Sequence, residues 1–412
     1  MNAAPIPTDK IAAIASKHEV SYRKAVESGN PALIKNALWR HQRSYAVKVH
    51  AARQANRRLS ARRQLPDAHM FEIAQQIKWG KPISEPVRLW GKPKASGGVR
   101  PIWDFGIIRR AACEAVMPIL RAHFHPKAFQ YDHRGVQAAA KTISGALQNG
   151  YVHATLADIT NHYGSFDTEA LRKQLPLPGG VFGHVVASQN FHVARRRGRS
   201  PDRSLIREAR RGIPQGSPIA PIIAQIVTSQ LTWKDDPNVV MVNYADNFCV
   251  LGKSLHDANC ATDTLGAAIA ALPGGKFQVK VEGPFDVAHG FDFLGHRFRL
   301  ASGQLIVRPT PINEYRFDKK LLEYDTEIHK LLATLPKRDP ARELLAFELM
   351  GDEWVFATSW AAAFGVCTTV PEYLDSVRYV LTDQLKSIGL NFHAIANYKN
   401  PDAEWSWDFY ES

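Results

Sequence analysis

Between Val239 and Gly252 the chain reads VVMVNYADNFCVLG, two runs of β-branched, aromatic and apolar residues on either side of Ala-Asp-Asn. Runs of this kind around a short polar break form a β-hairpin, which puts Asp246 at the tip of two strands. Asp and Asn also tolerate turn conformations, so a turn chosen for its backbone alone is the other reading of this segment in isolation. A further strand-like run, YVHATLAD, brings Asp158 to its C-terminal end. Two strands that each deliver a carboxylate offer the hard oxygens Mg²⁺ prefers, and phosphoryl-transfer sites commonly hold two such ions about 3.5–4 Å apart. Asp158 and Asp246 would bridge them. Asp167, just before Thr-Glu-Ala-Leu, is expected to be a helix N-cap.

The 412 residues include 52 Lys and Arg against 39 Asp and Glu, a formal net charge of +13, and 45% are hydrophobic. That is enough for two or three folded domains, and the excess of cations calls for a polyanionic partner, nucleic acid first. Cys113, Cys249, Cys260 and Cys367 are scattered without Cys-x-x-Cys spacing, which argues against a disulfide framework or a thiolate zinc site and fits a reducing cytoplasm. No basic-then-apolar leader, no membrane-length apolar run and no internal repeat is found, so the expectation is a cytoplasmic protein with no membrane partner.

From Pro5 to about Arg63 the pattern is helical and its charge is one-sided. Lys35, Arg40, Arg43, Lys48, Arg53, Arg57, Arg58, Arg62 and Arg63 occur with no acid between Glu27 and Asp67. Phosphate contact by this arm is expected, Arg57 and Arg58 included. Trp39 and Tyr45 either stack on bases or form the buried stripe of an amphipathic helix. Pro66, Gly80 and Pro82 place a boundary near residue 75.

Residues 76–310 alternate β-rich runs (Val87–Trp90, Tyr151–Ala157, Val239–Tyr244, Phe248–Leu251, Phe277–Val281) with helical stretches, an α+β pattern. Beyond Pro311 the pattern is helical through Tyr315–Leu335, Pro340–Phe364 and Tyr373–Ile388, before a tail with Trp405, Trp407, Phe409 and Tyr410. The expected division is 1–75, 76–310 and 311–412. Arg195, Arg196, Arg197, Arg199, Arg203, Arg207, Arg210 and Arg211 form a second basic cluster, expected to contact phosphates. His289 and His296 have no Cys or Glu constellation nearby and are taken as structural.

That cluster leads into RRGIPQGSPIAPIIAQIVTSQL. Gly212 and Gly216 allow a tight backbone, Ser217 suits an N-cap and Pro218 the first helical position. Such a turn can press against a base pair, with Gln215 offering its amide to the minor-groove side; an ordinary capped helix is the plainer alternative.

Taken in order, these segments resemble the palm of prokaryotic reverse transcriptases. RPIWDFGIIRRAACEAVMPIL resembles the fingers segment that begins R-P-I, and ADITNHYGSF the D-I-x-x-F-F-x-S-I pattern. GIPQGSPIAP is very close to G-I-P-Q-G-S-P-x-S-P, YADN resembles Y-A-D-D, and GFDFLGHRF resembles the F-L-G motif after the palm; together they span roughly residues 87–300. The resemblance implies an α+β right-hand polymerase with fingers, palm and helical thumb that adds dNTPs to a primer 3′-hydroxyl under two Mg²⁺ ions. It implies metal-ligand positions at Asp158, Ile159 and Asp246, a sugar-discriminating aromatic at Tyr163, and substrate contacts from Arg100, Lys94, Gln215 and Gly216, with Lys92 nearby. Lys280 lies near the family's lysine after the catalytic hairpin, a proton donor to pyrophosphate or a solvated strand residue.

Asn247 departs from the pattern, standing where most family members have a second aspartate. A neutral amide still offers an oxygen but neutralises less Mg²⁺ charge. No H-N-H, RNase H or integrase motif is recognised, which leaves retron-type or antiphage-defence reverse transcriptases. That class implies a noncoding RNA partner beside RNA template and DNA product, with a partner protein or homo-oligomer left open. Some members of the class start synthesis on a protein hydroxyl, for which Tyr22, Tyr45 and Tyr410 are available. The competing expectation is a silent palm that binds RNA as a scaffold.

Overall fold

In the computed structural model, residues 8–94, 97–194, 202–336, 340–389 and 392–396 are described. Helices α1 (Thr8–Glu27), α2 (Pro31–Arg43), α3 (Tyr45–Arg57) and α4 (Ala68–Gln76) come first. Asn30 accepts from the Ala32 and Leu33 N–H groups and Ser44 from that of Val47, so each short polar break both stops one helix and caps the next. These helices do not form a free arm. Ile11, Tyr22, Val49, Ala52, Met70 and Ile73 belong to a core that continues without a break at residue 75 through to Phe277.

The fingers hairpin, β1 (Arg88–Pro93) and β2 (Val99–Asp104), precedes α5 (Ile107–Ala122) and α6 (Val136–Gln148). Next come β3 (His153–Ile159), α7 (Thr168–Gln174), α8 (Gly179–Val185), α9 (Arg203–Ala209) and α10 (Ala220–Thr228). The expected N-cap is present: Asp167 accepts from the Ala170 N–H. The helix after the glycine turn starts at Ala220 rather than Pro218. The Ser217 carbonyl is taken by the Ala220 N–H in a turn, and Pro221 becomes the early proline.

Strands β4 (Val239–Tyr244) and β5 (Asn247–Gly252) form the expected hairpin, followed by α11 (Leu255–Ala270) and β6 (Val279–Asp286). The four strands of the palm sheet are antiparallel in the order β4-β5-β3-β6. Period-two alternation divides their side chains between two cores. Ala157, Ile159, Met241, Phe248 and Val250 face the first core with α11, whereas Ala154, Val242, Cys249 and Leu251 face a second that includes α6. With both faces covered, the polar Asp158 and Asp246 sit at the sheet's end.

A second sheet, β7 (Phe291–Phe293), β8 (His296–Ala301) and β9 (Gln304–Pro309), closes the second core with Phe291, Phe293, Phe298 and Val307. His296 is buried there, hydrogen-bonded to the Leu294 carbonyl at 3.1 Å and packed on Phe364, a structural histidine as expected. The chain ends in α12 (Pro311–Thr334), α13 (Pro340–Ala363), α14 (Val370–Ser387) and the short α15 (His393–Ala396). Their own core centres on Phe317, Ile328, Met350 and Leu381, with the Phe317 ring stacked 4.1 Å from Trp360. The architecture is α+β. Among the described residues no helix is long and apolar enough to cross a membrane.

Candidate active site

Asp158 is the penultimate residue of β3, directly across from Asn247 on β5 and from Lys280 on β6. The next residue, Ile159, donates its N–H to the Asp246 carbonyl at 3.0 Å, which ties the hairpin tip to the end of β3. Both aspartates line a cavity of about 540 Å³ together with Lys94, Arg100, Asp132, Ile159, His162, Tyr163, Gln215 and Lys280. Burial, and then the negative charge of Asp246, push the Asp158 carboxyl up to about 6, while Lys280 and Arg100 pull it the other way. The two acids therefore share one field.

The glycines of the sequence motif are explained by how closely the backbone packs. Gly212 (φ +63°) lies where a Cβ would come within 1.8 Å of the Tyr163 carbonyl, and Gly216 (φ +96°) where one would come within 2.3 Å of the Trp103 carbonyl. Around them, the Ile213 N–H donates to the Tyr163 carbonyl at 2.9 Å and the Trp103 N–H to the Gln215 carbonyl at 2.8 Å. The loop is thus stitched on one side to the segment after Asp158 and on the other to the fingers hairpin. Gln215 lies between them and lines the cavity.

Tyr163 is half-buried and stacked on His162, with ring centroids 5.6 Å apart. Burial and then Asp246 push its phenol up to about 12, so the ring is neutral. On β2, Arg100 is exposed and pairs in register with Lys92 on β1; Lys94 follows the strand, and both Arg100 and Lys94 face the cavity while Lys92 is not among its walls. Lys280, only loosely matched in sequence, stands beside Asp158 and is ion-paired with Glu282 at 2.7 Å. Asn247 donates its amide N–H to Asp246 Oδ1 at 3.1 Å.

The cavity is also lined by residues not singled out from the sequence, among them His162, Gln225 and Asp132. His162 is buried, its imidazole pushed down to about 4 mainly by desolvation, and it stands where the family pattern has Phe. Gln225 lies within α10. Asp132, in the loop before α6, accepts the Ala245 N–H through Oδ1 at 2.9 Å. Its role surfaces only when strands distant in sequence come together.

The N-terminal cations separate by environment. Arg53 is buried and forms a bidentate pair with Asp67 at 2.6 and 2.5 Å, Arg58 pairs with the buried Glu114, and Lys48 donates to the Ile77 carbonyl at 2.7 Å. Lys35, Arg40, Arg43, Arg57, Arg62 and Arg63 are exposed. Both aromatics are exposed, Tyr45 at 41%, so neither is a buried stripe, but their partners differ. Trp39 is 56% exposed with the Arg43 guanidinium 4.6 Å over its ring, whereas Tyr45 packs on Phe71 and donates to its carbonyl at 2.9 Å. Tyr22 is 1% exposed and hydrogen-bonded to His123, which withdraws it from the candidate priming hydroxyls. Arg195, Arg196, Arg197, Arg199 and the aromatic tail with Tyr410 lie outside the described residues.

The model of the family described as reverse transcriptase (RNA-dependent DNA polymerase) matches residues 92–298, half of the chain. The chain belongs to the reverse transcriptase family. The matched span begins on the fingers hairpin, takes in Asp158, the glycine loop and Asp246, and ends within the sheet that follows the palm. Among solved structures, this reverse transcriptase family member is similar to a Candida albicans telomerase in complex with a TWJ fragment of telomeric RNA, with TM-score 0.40 and 11% identity over 78% of this chain and 66% of that one. It is also similar to an apo telomerase from Candida tropicalis, with TM-score 0.36 and 10% identity over 76% and 63% of the two chains. The chain spans less than two thirds of the length of these telomerases. No curated protein matches the chain in sequence.

Proposed function

We propose that the chain is an RNA-templated DNA polymerase that adds dNTPs to a primer 3′-hydroxyl. The observation that carries this reading is that Asp158 and Asp246 share one cavity with the cations Lys94, Arg100 and Lys280. The donor set fits Mg²⁺. Asp246 helps raise Asp158, a repulsion that a divalent cation relieves, and Mg²⁺ commonly takes one or two carboxylates while keeping waters and substrate phosphates as its other ligands. Asp158, Asp246 and Ile159 would hold the ions, which when bound activate the attacking hydroxyl and stabilise the leaving oxygen.

The remaining work falls to the chain's own side chains. Arg100 offers a forked donor and Lys94 a point charge to the triphosphate. Tyr163 forms the wall against which the sugar lies and rejects a 2′-hydroxyl by bulk, while Gln215 supports the nascent base pair from the glycine loop. Lys280, exposed beside Asp158, is placed to give a proton to pyrophosphate. The exposed cations of α2 and α3, and the arginines around 195–211, hold template and product through phosphates. Following the family resemblance, the proposal extends to a structured noncoding RNA as partner, to a role in antiphage defence and to the cytoplasm as its place.

The test is dNTP incorporation on primed RNA with and without Mg²⁺, comparing the chain with its D158A and D246A variants. Activity that needs Mg²⁺ and is lost in both variants, with RNA binding kept, is the expected result. A second reading, an RNA-binding scaffold, is favoured by Asn247, whose amide occupies the Asp246 carboxylate where the family's next aspartate stands. RNA binding without incorporation by either the chain or its N247D variant, on any primer, template or copurifying RNA, would decide for the scaffold.

A further inference from the structure

The turn that aims Asp246 is built from a residue ill suited to it. Ala245 has φ +55°, in the left-handed region where Cβ crowds the following carbonyl and glycine is the usual choice. Tyr244 and Asn247 are paired, so Ala245 opens a two-residue hairpin loop, which calls for positive φ at that position but here has alanine in place of the usual glycine. Asp132 approaches from the loop between α5 and α6, 113 positions away, and accepts the Ala245 N–H at 2.9 Å.

The same loop is stitched to β4. The Asn243 N–H donates to the Phe129 carbonyl at 2.7 Å and the Tyr131 N–H to the Asn243 carbonyl at 2.9 Å, while Gln130 Nε2 ties the loop to α10 through the Gln225 carbonyl at 3.1 Å. From inside the hairpin, the buried Asn243 amide donates to both the Ala245 and Asn247 carbonyls at 3.1 Å. Asp132 thus satisfies the turn's N–H, and Asn243 the carbonyls at its two ends.

A third carboxylate in a cavity that already holds two is electrostatically unfavourable, and Asp132 is close enough that its charge contributes to raising the Tyr163 phenol. A residue chosen only to fill space there would be neutral. What a carboxylate adds is a strong, charge-assisted acceptor for the backbone N–H.

We infer that Asp132 is a positioning residue: by accepting the Ala245 N–H it locks the left-handed turn and so fixes the direction in which Asp246 presents its carboxylate to Asp158. This rests on the polymerase reading of the Asp158–Asp246 pair. Asp132 acts through the Ala245 backbone and is given no contact with substrate.

Three variants of the full chain separate this role from generic packing. D132A removes the acceptor, D132N keeps an oxygen acceptor of the same size, and D132A/A245G lets the turn hold its conformation without help. The expected result for D132A is a roughly 10–100-fold loss in kcat for dNTP incorporation with little change in KM, since groups already bound are misaligned. D132N, whose amide oxygen accepts without the charge, should lie between D132A and the parent chain, and adding A245G to D132A should recover most of what D132A lost. Independently of activity, amide exchange over residues 243–248 should accelerate in D132A but not in D132N. Full activity with unchanged exchange in D132A, a D132N defect equal to that of D132A, or no rescue by A245G would each overturn the inference. Should D132A not fold, D132N and A245G compared by exchange carry the same decision. An inactive parent chain sinks the polymerase reading alone, because the exchange comparison still decides whether Asp132 holds the turn.

Discussion

Asp158 and Asn247 are direct register partners across β3 and β5, so the residue that departs from the family's usual aspartate lies directly opposite a carboxylate. Like charges placed directly opposite on adjacent strands repel, and here Asp158 is already raised by burial and then by Asp246. N247D would add a second repulsion and remove the amide bond to Asp246 Oδ1. In metal-free buffer we expect N247D to be less stable by about 1 kcal/mol. Millimolar Mg²⁺ should close that gap, because a ligand that binds only the folded state stabilises it. Thermal melts with and without Mg²⁺ check this; a deficit that Mg²⁺ leaves unchanged would separate the acidic pair from metal binding.

The glycine loop gives a graded prediction. G212A and G216A combine a strained φ with a backbone carbonyl that cannot withdraw, at 1.8 and 2.3 Å from the new Cβ. Each should cost about 2–4 kcal/mol, the conformational term plus the clash. Gly303 has φ +80° with nothing within 4 Å of its would-be Cβ, so G303A should cost only about 1 kcal/mol. Urea midpoints for the three variants check the order. Equal costs would mean the loop yields more readily than its close contacts indicate.

Much of the palm is legible in the sequence because local rules and long-range packing agree there. The Val239–Gly252 hairpin and the Asp158 strand rest on continuous β-branched and apolar runs bounded by a polar break, and the Asp167 cap on one polar residue ahead of a helix. The helix at Ala220 starts later than Ser217-Pro218 suggests, because left-handed Gly216 leads into a turn that takes the Ser217 carbonyl. The three-stranded sheet after the palm is only partly legible: β7 has only 3 residues, whereas β8 does carry strand-like alternation, with Phe298 between exposed Arg297 and Arg299. Asp132 is illegible for another reason. Its partner is the Ala245 backbone N–H, which carries no sequence signature at all.

Tyr163 allows the sugar assignment to be tested without collapsing the site. Its backbone carbonyl holds Ile213 and its ring stacks on His162, so Y163A removes the ring while the glycine loop keeps its anchor. We expect Y163A to raise ribonucleotide use relative to deoxynucleotide use by roughly tenfold or more, the scale at which a filled pocket rejects an extra group. Steady-state incorporation of matched rNTP and dNTP pairs reads this directly; unchanged discrimination would place the sugar elsewhere.

The helical C-terminal core carries a pH dependence of its own. Glu353 on α13 is 1% exposed, and its Oε2 has no hydrogen-bond partner among the described residues. Burial first, and then the charge of Asp325 on α12, push its carboxyl up to about 8. Because the folded value lies above the unfolded one, the folded chain binds the extra proton between roughly pH 4.5 and 8, so this group's contribution to stability is lost as pH rises through that window. The difference should be on the order of 2–4 kcal/mol between pH 5 and pH 9, at about 1.4 kcal/mol for each pH unit that separates the folded from the unfolded value. E353Q keeps the shape and removes the titration, so its melting temperature should match that of the parent chain near pH 5 and exceed it near pH 9. Melting curves that run parallel for the two chains across that range would mean that Glu353 is ionised and solvated in the folded state.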